Sequence, residues 1–196
     1  MAKQVKKQKS LAQRASRYIT RRLIRELPHN RIFHNLHHTL TVLRGVKVIG
    51  KAEGLSREEM QIVKLAAIFH DSGHVECYKG HEAASMRIAE EWLRKQDYPE
   101  DRLARVLACI EATTMPQHPR NKVEEILCDA DLRHLAFDMY SDYQELLRVE
   151  WKLELGIEMT DEEWEAANNK FLTEHRYFTA YGRRELEPDK PHPLLK

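Results

Sequence analysis

An all-α fold is predicted by three features of this 196-residue chain. Apolar residues recur every three or four positions, only 7 Gly and 7 Pro interrupt the chain, and no convincing strand pattern occurs. Leu11, Ala15, Ile19 and Leu23 set one face of a first helix that ends before Pro28. Leu36, Leu40, Leu43, Val46 and Ile49 mark a second helix. Ser56 and Glu59 have capping-box spacing and open a third, which runs through Met60, Val63 and Ala67 to Phe69, with Gly73 as its stop. His81 to Gln96 carries Ala84, Ile88 and Trp92 at helical spacing, and Pro99 starts a helix bearing Leu103, Val106, Leu107 and Ile110. Beyond a Pro116/Pro119 loop, helices are expected over Val123 to Leu135, over Leu146 to Leu155, and from the Thr160–Glu163 capping box to Tyr181. The closing EPDKPHPLLK reads as an extended tail, and Trp151 and Trp164 read as packing residues.

Composition narrows the function classes. With 42% hydrophobic and 32% charged residues, the length suits one well-packed domain. Lys+Arg 32 against Asp+Glu 31 leaves +1, so neither nucleic acid nor a membrane is the expected main partner. Cys77, Cys109 and Cys128 are odd in number and form no C-x-x-C pair, which fits a reducing, cytoplasmic setting. No apolar leader segment and no run of about 18 uncharged apolar residues is present. The first 25 residues hold nine Lys or Arg and no acid; the expected reading is a solvated face of a packed helix, ahead of a phosphate-binding arm. A homodimer is the assembly that long amphipathic helices would allow.

Titratable groups interrupt the apolar runs at three places. In FHNLHHT, His34 and His38 are four apart and share a face if the segment is helical. In AAIFHDSGH, His70 and Asp71 stand where a core helix should end, and in ILCDADLRHL, Asp129 and Asp131 sit inside an apolar run. Burying such groups unpaired costs several kcal/mol, so mutual neutralisation around a cation is the cheapest explanation.

These motifs, F-H-N-x-x-H-T, A-x-x-H-D-x-G and D-A-D-L in that order, resemble the HD-domain superfamily of metal-dependent phosphohydrolases over roughly residues 30 to 135. FLTEHRYFTAY near the C-terminus is similar to small bacterial HD proteins. The resemblance implies an all-α, single-domain bundle: a basic helix over 1–28, a metal-binding core over 29–135, added helices over 136–181 and a tail over 182–196. It implies His38, His70, Asp71 and Asp131 as ligands of a divalent ion, Mn²⁺, Fe²⁺, Co²⁺, Ni²⁺ or Zn²⁺. His37 competes with His38, and Asp129, which competes with Asp131, is otherwise expected as an acceptor beside the ligands or as a helix-end residue. By likeness to the cyclic-nucleotide phosphodiesterases, His34 is the general-acid candidate and His74 the second histidine of H-D-x-x-H; Asp71 is the candidate base. His81 is a candidate ligand for a second ion, but Glu111 and the loop residue His118 do not complete the set, so a single ion, or one joined by a weakly held second, is expected. The implied reaction is hydrolysis of a phosphomonoester or phosphodiester, a nucleotide or related small molecule, with Lys79, Arg120 or Arg133 as candidate phosphate clamps. A di-iron oxygenase and a nucleotide-binding sensor contacting its ligand through the basic first helix are the alternatives.

Overall fold

The computed structural model describes residues 9–191, and among them there are eight α-helices and no strand. The central helix, α3 (Arg57–Phe69), is buried without interruption from Leu65 to Phe69. Ser56 caps it by a reciprocal bond with Glu59, as its sequence predicts. Around it pack α1 (Leu11–Glu26), α2 (Leu36–Ala52), α5 (Glu100–Glu111) and α6 (Lys122–Asp131), with α4 (His81–Arg94) against α5. Each fully buried Leu, Ile or Phe in this core stabilises the fold by about 1.5–3 kcal/mol. In α1 the apolar stripe Ala15, Ile19 and Leu23 is buried, while Arg17, Arg21 and Arg25 face outward. Among the described residues no helix is long and apolar enough to cross a membrane.

Two close approaches position the site. At Gly45 of α2 an added Cβ would lie 3.0 Å from the Ala130 Cβ of α6, so the absence of a side chain lets these helices meet next to Asp131. At Gly73, within the 3-10 turn Ser72–Val75, a Cβ would lie 2.8 Å from the Ser85 nitrogen and press on the His81 carbonyl. Gly73 therefore does more than stop α3: it lets the turn sit against the start of α4.

The C-terminal third departs from the expected boundaries. α6 stops at Asp131 and tightens into a 3-10 turn, Leu132–Ala136, instead of running on to Leu135. The next helix, α7 (Tyr140–Leu155), starts six residues before Leu146. α8 (Asp161–Glu174) ends with an extended His175, so His175, Phe178 and Tyr181 do not share one helical face. Residues 182–186 form a π-helical turn instead of an extended tail, and Lys190 is buried, its ammonium donating to the His175 carbonyl at 2.8 Å and to Glu187 at 2.8 Å. The predicted N-terminal residues 1–8 and tail residues 192–196 lie outside the described residues.

Candidate metal centre

Asn35 caps α2 by accepting from the His37 and His38 amides, which turns His38 inward on the first turn and leaves His37 exposed, 3.2 Å from the Tyr143 hydroxyl. His34 therefore precedes the helix and reaches the same region from the entering loop. At the end of α3 the backbone leaves helical geometry, with Asp71 at φ −103°, ψ 6°, and this lets the adjacent His70 and Asp71 side chains turn toward one point. α6 supplies Asp131 from its last turn.

The four groups meet. His38 Nε2 lies 3.0 Å from Asp131 Oδ1 and 3.3 Å from Asp71 Oδ2; His70 Nε2 lies 3.2 Å from Asp71 Oδ2 and 3.4 Å from Asp131 Oδ1. The two Nε2 atoms are 3.4 Å apart. His70 Nδ1 donates to the Ala67 carbonyl at 3.0 Å, which turns Nε2 toward the carboxylates. Imidazole lone pairs and carboxylate oxygens are all electron donors, and together they call for a cation at their centre. Burial opposes charge on His38, but the bonds to Asp131 and Asp71 outweigh it and lift its pKa to about 9, so the two carboxylates favour positive charge at this point. Asp71 is likewise held well below the ordinary carboxylate range, burial being overcome by His70, His38 and His81. The donor types, their burial and their convergence fit a divalent ion.

A second group flanks the first. Asp71 Oδ1 faces away from His38 and toward His81, whose Nε2 is 3.5 Å distant and whose Nδ1 donates to the Tyr78 carbonyl at 3.0 Å. His74 stacks between His81, at 3.9 Å, and His34, at 4.4 Å, and both its ring nitrogens are buried without a partner among the described residues. Burial keeps His74 neutral, far below the usual histidine range. His34, Asp71 and His74 bring ligand atoms within reach of one ion, so the second set is fuller than the sequence indicates. His74 is 1% exposed and does not line the cavity beside the site, whereas His34, His38, Asp71, His81 and Asp131 do.

Asp129 is not brought to either group. Its carboxylate accepts from the Phe178 and Thr179 amides at 2.8 and 2.9 Å and from the Thr179 hydroxyl at 2.6 Å, pinning the C-terminal segment. The place beside the ligands is corrected accordingly, while the helix-end alternative fits: residues two apart on a helix point to different sides, and of the pair only Asp131 reaches the centre.

Glu150 was not singled out from sequence. It is 0% exposed on α7, accepts from the Phe33 and His34 amides at 2.7 and 3.1 Å, and makes a very short contact with His34 Nδ1. Burial pushes its pKa up, but His34 and the two amides outweigh this and hold it below the usual carboxylate value. Four residues on, Glu154 pairs with buried Arg31. Trp151 and Trp164 pack edge to face, with ring centroids 5.5 Å apart, as expected, and both also line the cavity.

An α-helical bundle with imidazoles and carboxylates converging in its interior defines a metal-binding helical domain. Residues 35–136, more than half of the chain, match the family model of the HD domain, and the protein belongs to that family. HD domains form a metal-dependent hydrolase superfamily and bind divalent metals. No curated protein and no solved structure gives a significant match.

Proposed function

We propose that the chain is a metal-dependent phosphohydrolase that cleaves a phosphomonoester or phosphodiester of a small molecule, a nucleotide or related compound, by attack of water. The observation that carries this reading is the convergence of His38, His70, Asp71 and Asp131 beside a cavity that also receives His34. A divalent ion held there, Mn²⁺, Fe²⁺, Co²⁺, Ni²⁺ or Zn²⁺, lowers the pKa of water toward neutrality and offsets charge on the phosphoryl oxygens. Asp71 presents a carboxylate oxygen to each histidine group and is placed to take the proton of the attacking water. His34, fixed through Nδ1 by Glu150, leaves Nε2 as the atom that passes a proton to the departing oxygen. His74, packed between the His34 and His81 rings, holds their planes rather than touching substrate.

The position of Asp71 between two groups favours a second reading, a two-ion centre of the kind di-iron oxygenase chemistry requires. One assay separates the readings. Protein loaded with each ion in turn is offered phosphomonoesters and cyclic nucleotides while phosphate release and oxygen uptake are followed. Phosphoester turnover that disappears in Asp131→Ala supports hydrolysis. Oxygen uptake without phosphate release supports the oxygenase, and tight nucleotide binding with neither supports a sensor.

A further inference from the structure

The cavity beside the metal centre has a volume of about 420 Å³, within the range of small-molecule sites, and its lining has two chemistries. One part is the histidine and aspartate group. The other is supplied by Tyr143, Leu147 and Trp151 of α7, Trp164 and Phe171 of α8, and Leu135. Two amides, Gln144 and Asn168, interrupt it, of which Asn168 is committed, donating to the Trp164 carbonyl at 2.8 Å and accepting from Tyr140 at 3.3 Å.

Among the described residues, no Lys or Arg lines this cavity. The three clamps expected from sequence are elsewhere: Lys79, Arg120 and Arg133 are absent from the lining, Arg120 being paired with Glu111 and Arg133 lying over the Phe137 ring at 5.2 Å. Arg148, whose guanidinium lies 5.9 Å from the Trp164 ring centroid, is paired with Asp161 at 2.8 Å, and Arg31 is paired with Glu154. Glu82 adds a further carboxylate to Asp71 and Asp131. One phosphoryl group has the metal centre to balance it; every further phosphate would enter an apolar or anionic wall with no counter-charge.

We infer that the substrate is a monophosphate ester of an apolar, ring-bearing or aliphatic alcohol, and that nucleoside di- and triphosphates are rejected. The inference rests on the phosphohydrolase reading for which end of the ligand reacts, but the affinity for an apolar body is independent of turnover. The test uses the full chain loaded with its preferred ion. Calorimetry measures binding of 1-naphthol, which has no phosphate, and steady-state assays compare 1-naphthyl phosphate, AMP and ATP. Saturable naphthol binding is expected, with kcat/KM for 1-naphthyl phosphate above that for AMP and at least ~100-fold above that for ATP. Leu147→Lys, which puts a cation on the partly buried α7 wall, is expected to weaken naphthol binding at least ~10-fold and to narrow the gap to ATP.

Absence of naphthol binding, or turnover of AMP or ATP equal to that of the naphthyl ester, overturns the inference and leaves the hydrolytic reading standing. Unchanged naphthol binding in Leu147→Lys also overturns it. Naphthol binding without hydrolysis of any ester supports the apolar site and overturns the hydrolytic reading instead.

Discussion

Replacing Glu150 by glutamine removes one charge and almost no volume from a side chain that is 0% exposed. The substituted amide has one acceptor oxygen, which can still serve the Phe33 and His34 amides. Its NH₂ then faces His34 Nδ1, which must become an acceptor, so Nδ1 and Nε2 can no longer both carry protons and the ring loses the form able to give up a proton from Nε2. Loss of one charge-assisted bond at a buried site is expected to cost about 1–3 kcal/mol of stability. Loss of a positioned proton donor is worth roughly 10²–10³-fold in kcat, about 3–4 kcal/mol of barrier, when the leaving alkoxide is a poor one. A leaving group of low pKa departs without a proton, so the same variant should lose less than ~10-fold with a p-nitrophenyl ester. The assay is kcat for a phenyl and a p-nitrophenyl ester in both proteins, with urea unfolding alongside. Equal losses on both esters would refute the proton-donor chain from Glu150 to His34 and leave Glu150 a purely structural residue.

Four further outcomes follow from the geometry. Adding the bound metal at 100 times its Kd should stabilise the protein by about 2.7 kcal/mol, roughly 5–10 °C in Tm for a chain of this size, and Asp131→Asn should erase most of that shift in scanning calorimetry. Gly73→Ala forces a Cβ against the backbone of His81 and Ser85, and should cost more than about 3 kcal/mol in urea unfolding; a loss under 1 kcal/mol would show that the turn yields. Asp129→Asn should lower stability by about 1–3 kcal/mol by weakening its hold on Phe178 and Thr179, while metal affinity by titration stays within ~3-fold; a tenfold loss would return Asp129 to the metal site. Burial, aided by the Lys190 charge, lowers the His175 pKa to about 4, so the folded ring stays neutral while the unfolded ring protonates below about 6.5. Stability present above pH 6.5 is thus lost as pH falls toward 4, on the order of 2 kcal/mol after allowance for partial exposure, and His175→Gln should flatten that part of the unfolding profile.

The helices around the core are legible because local signals coincide there with the burial pattern: Ser56 and Thr160 cap where their spacing predicts, and Ala15, Ile19 and Leu23 face inward. The ligand groups are legible for an energetic reason, since His70 and Asp131 interrupt apolar segments where unpaired charge would be expensive. The reading is weaker at His34, because Asn35 is a strong cap and places that histidine outside the helix. It fails for α7, where Tyr140 and Glu150 are buried and Tyr143, Leu147 and Trp151 face the cavity, and a glutamate there reads as solvated until its partners across the chain are known. The end of α8 and the π-helical turn are set by contacts such as Asp129 with Thr179, fifty residues apart, which no local pattern encodes.

α7 holds Glu150 under His34 and, on adjoining positions of the same rod, lines the cavity with Tyr143, Leu147 and Trp151. If His34 delivers the proton as proposed, molecular recognition and proton delivery are mechanically yoked. A ligand that tilts this helix by a fraction of an ångström would displace the anchor of the imidazole as well, so a poorly fitting guest would be penalised in rate and not only in affinity. Diversification of the aromatic wall is then constrained by chemistry some distance away, and altered selectivity would have to evolve together with compensating changes around residue 150.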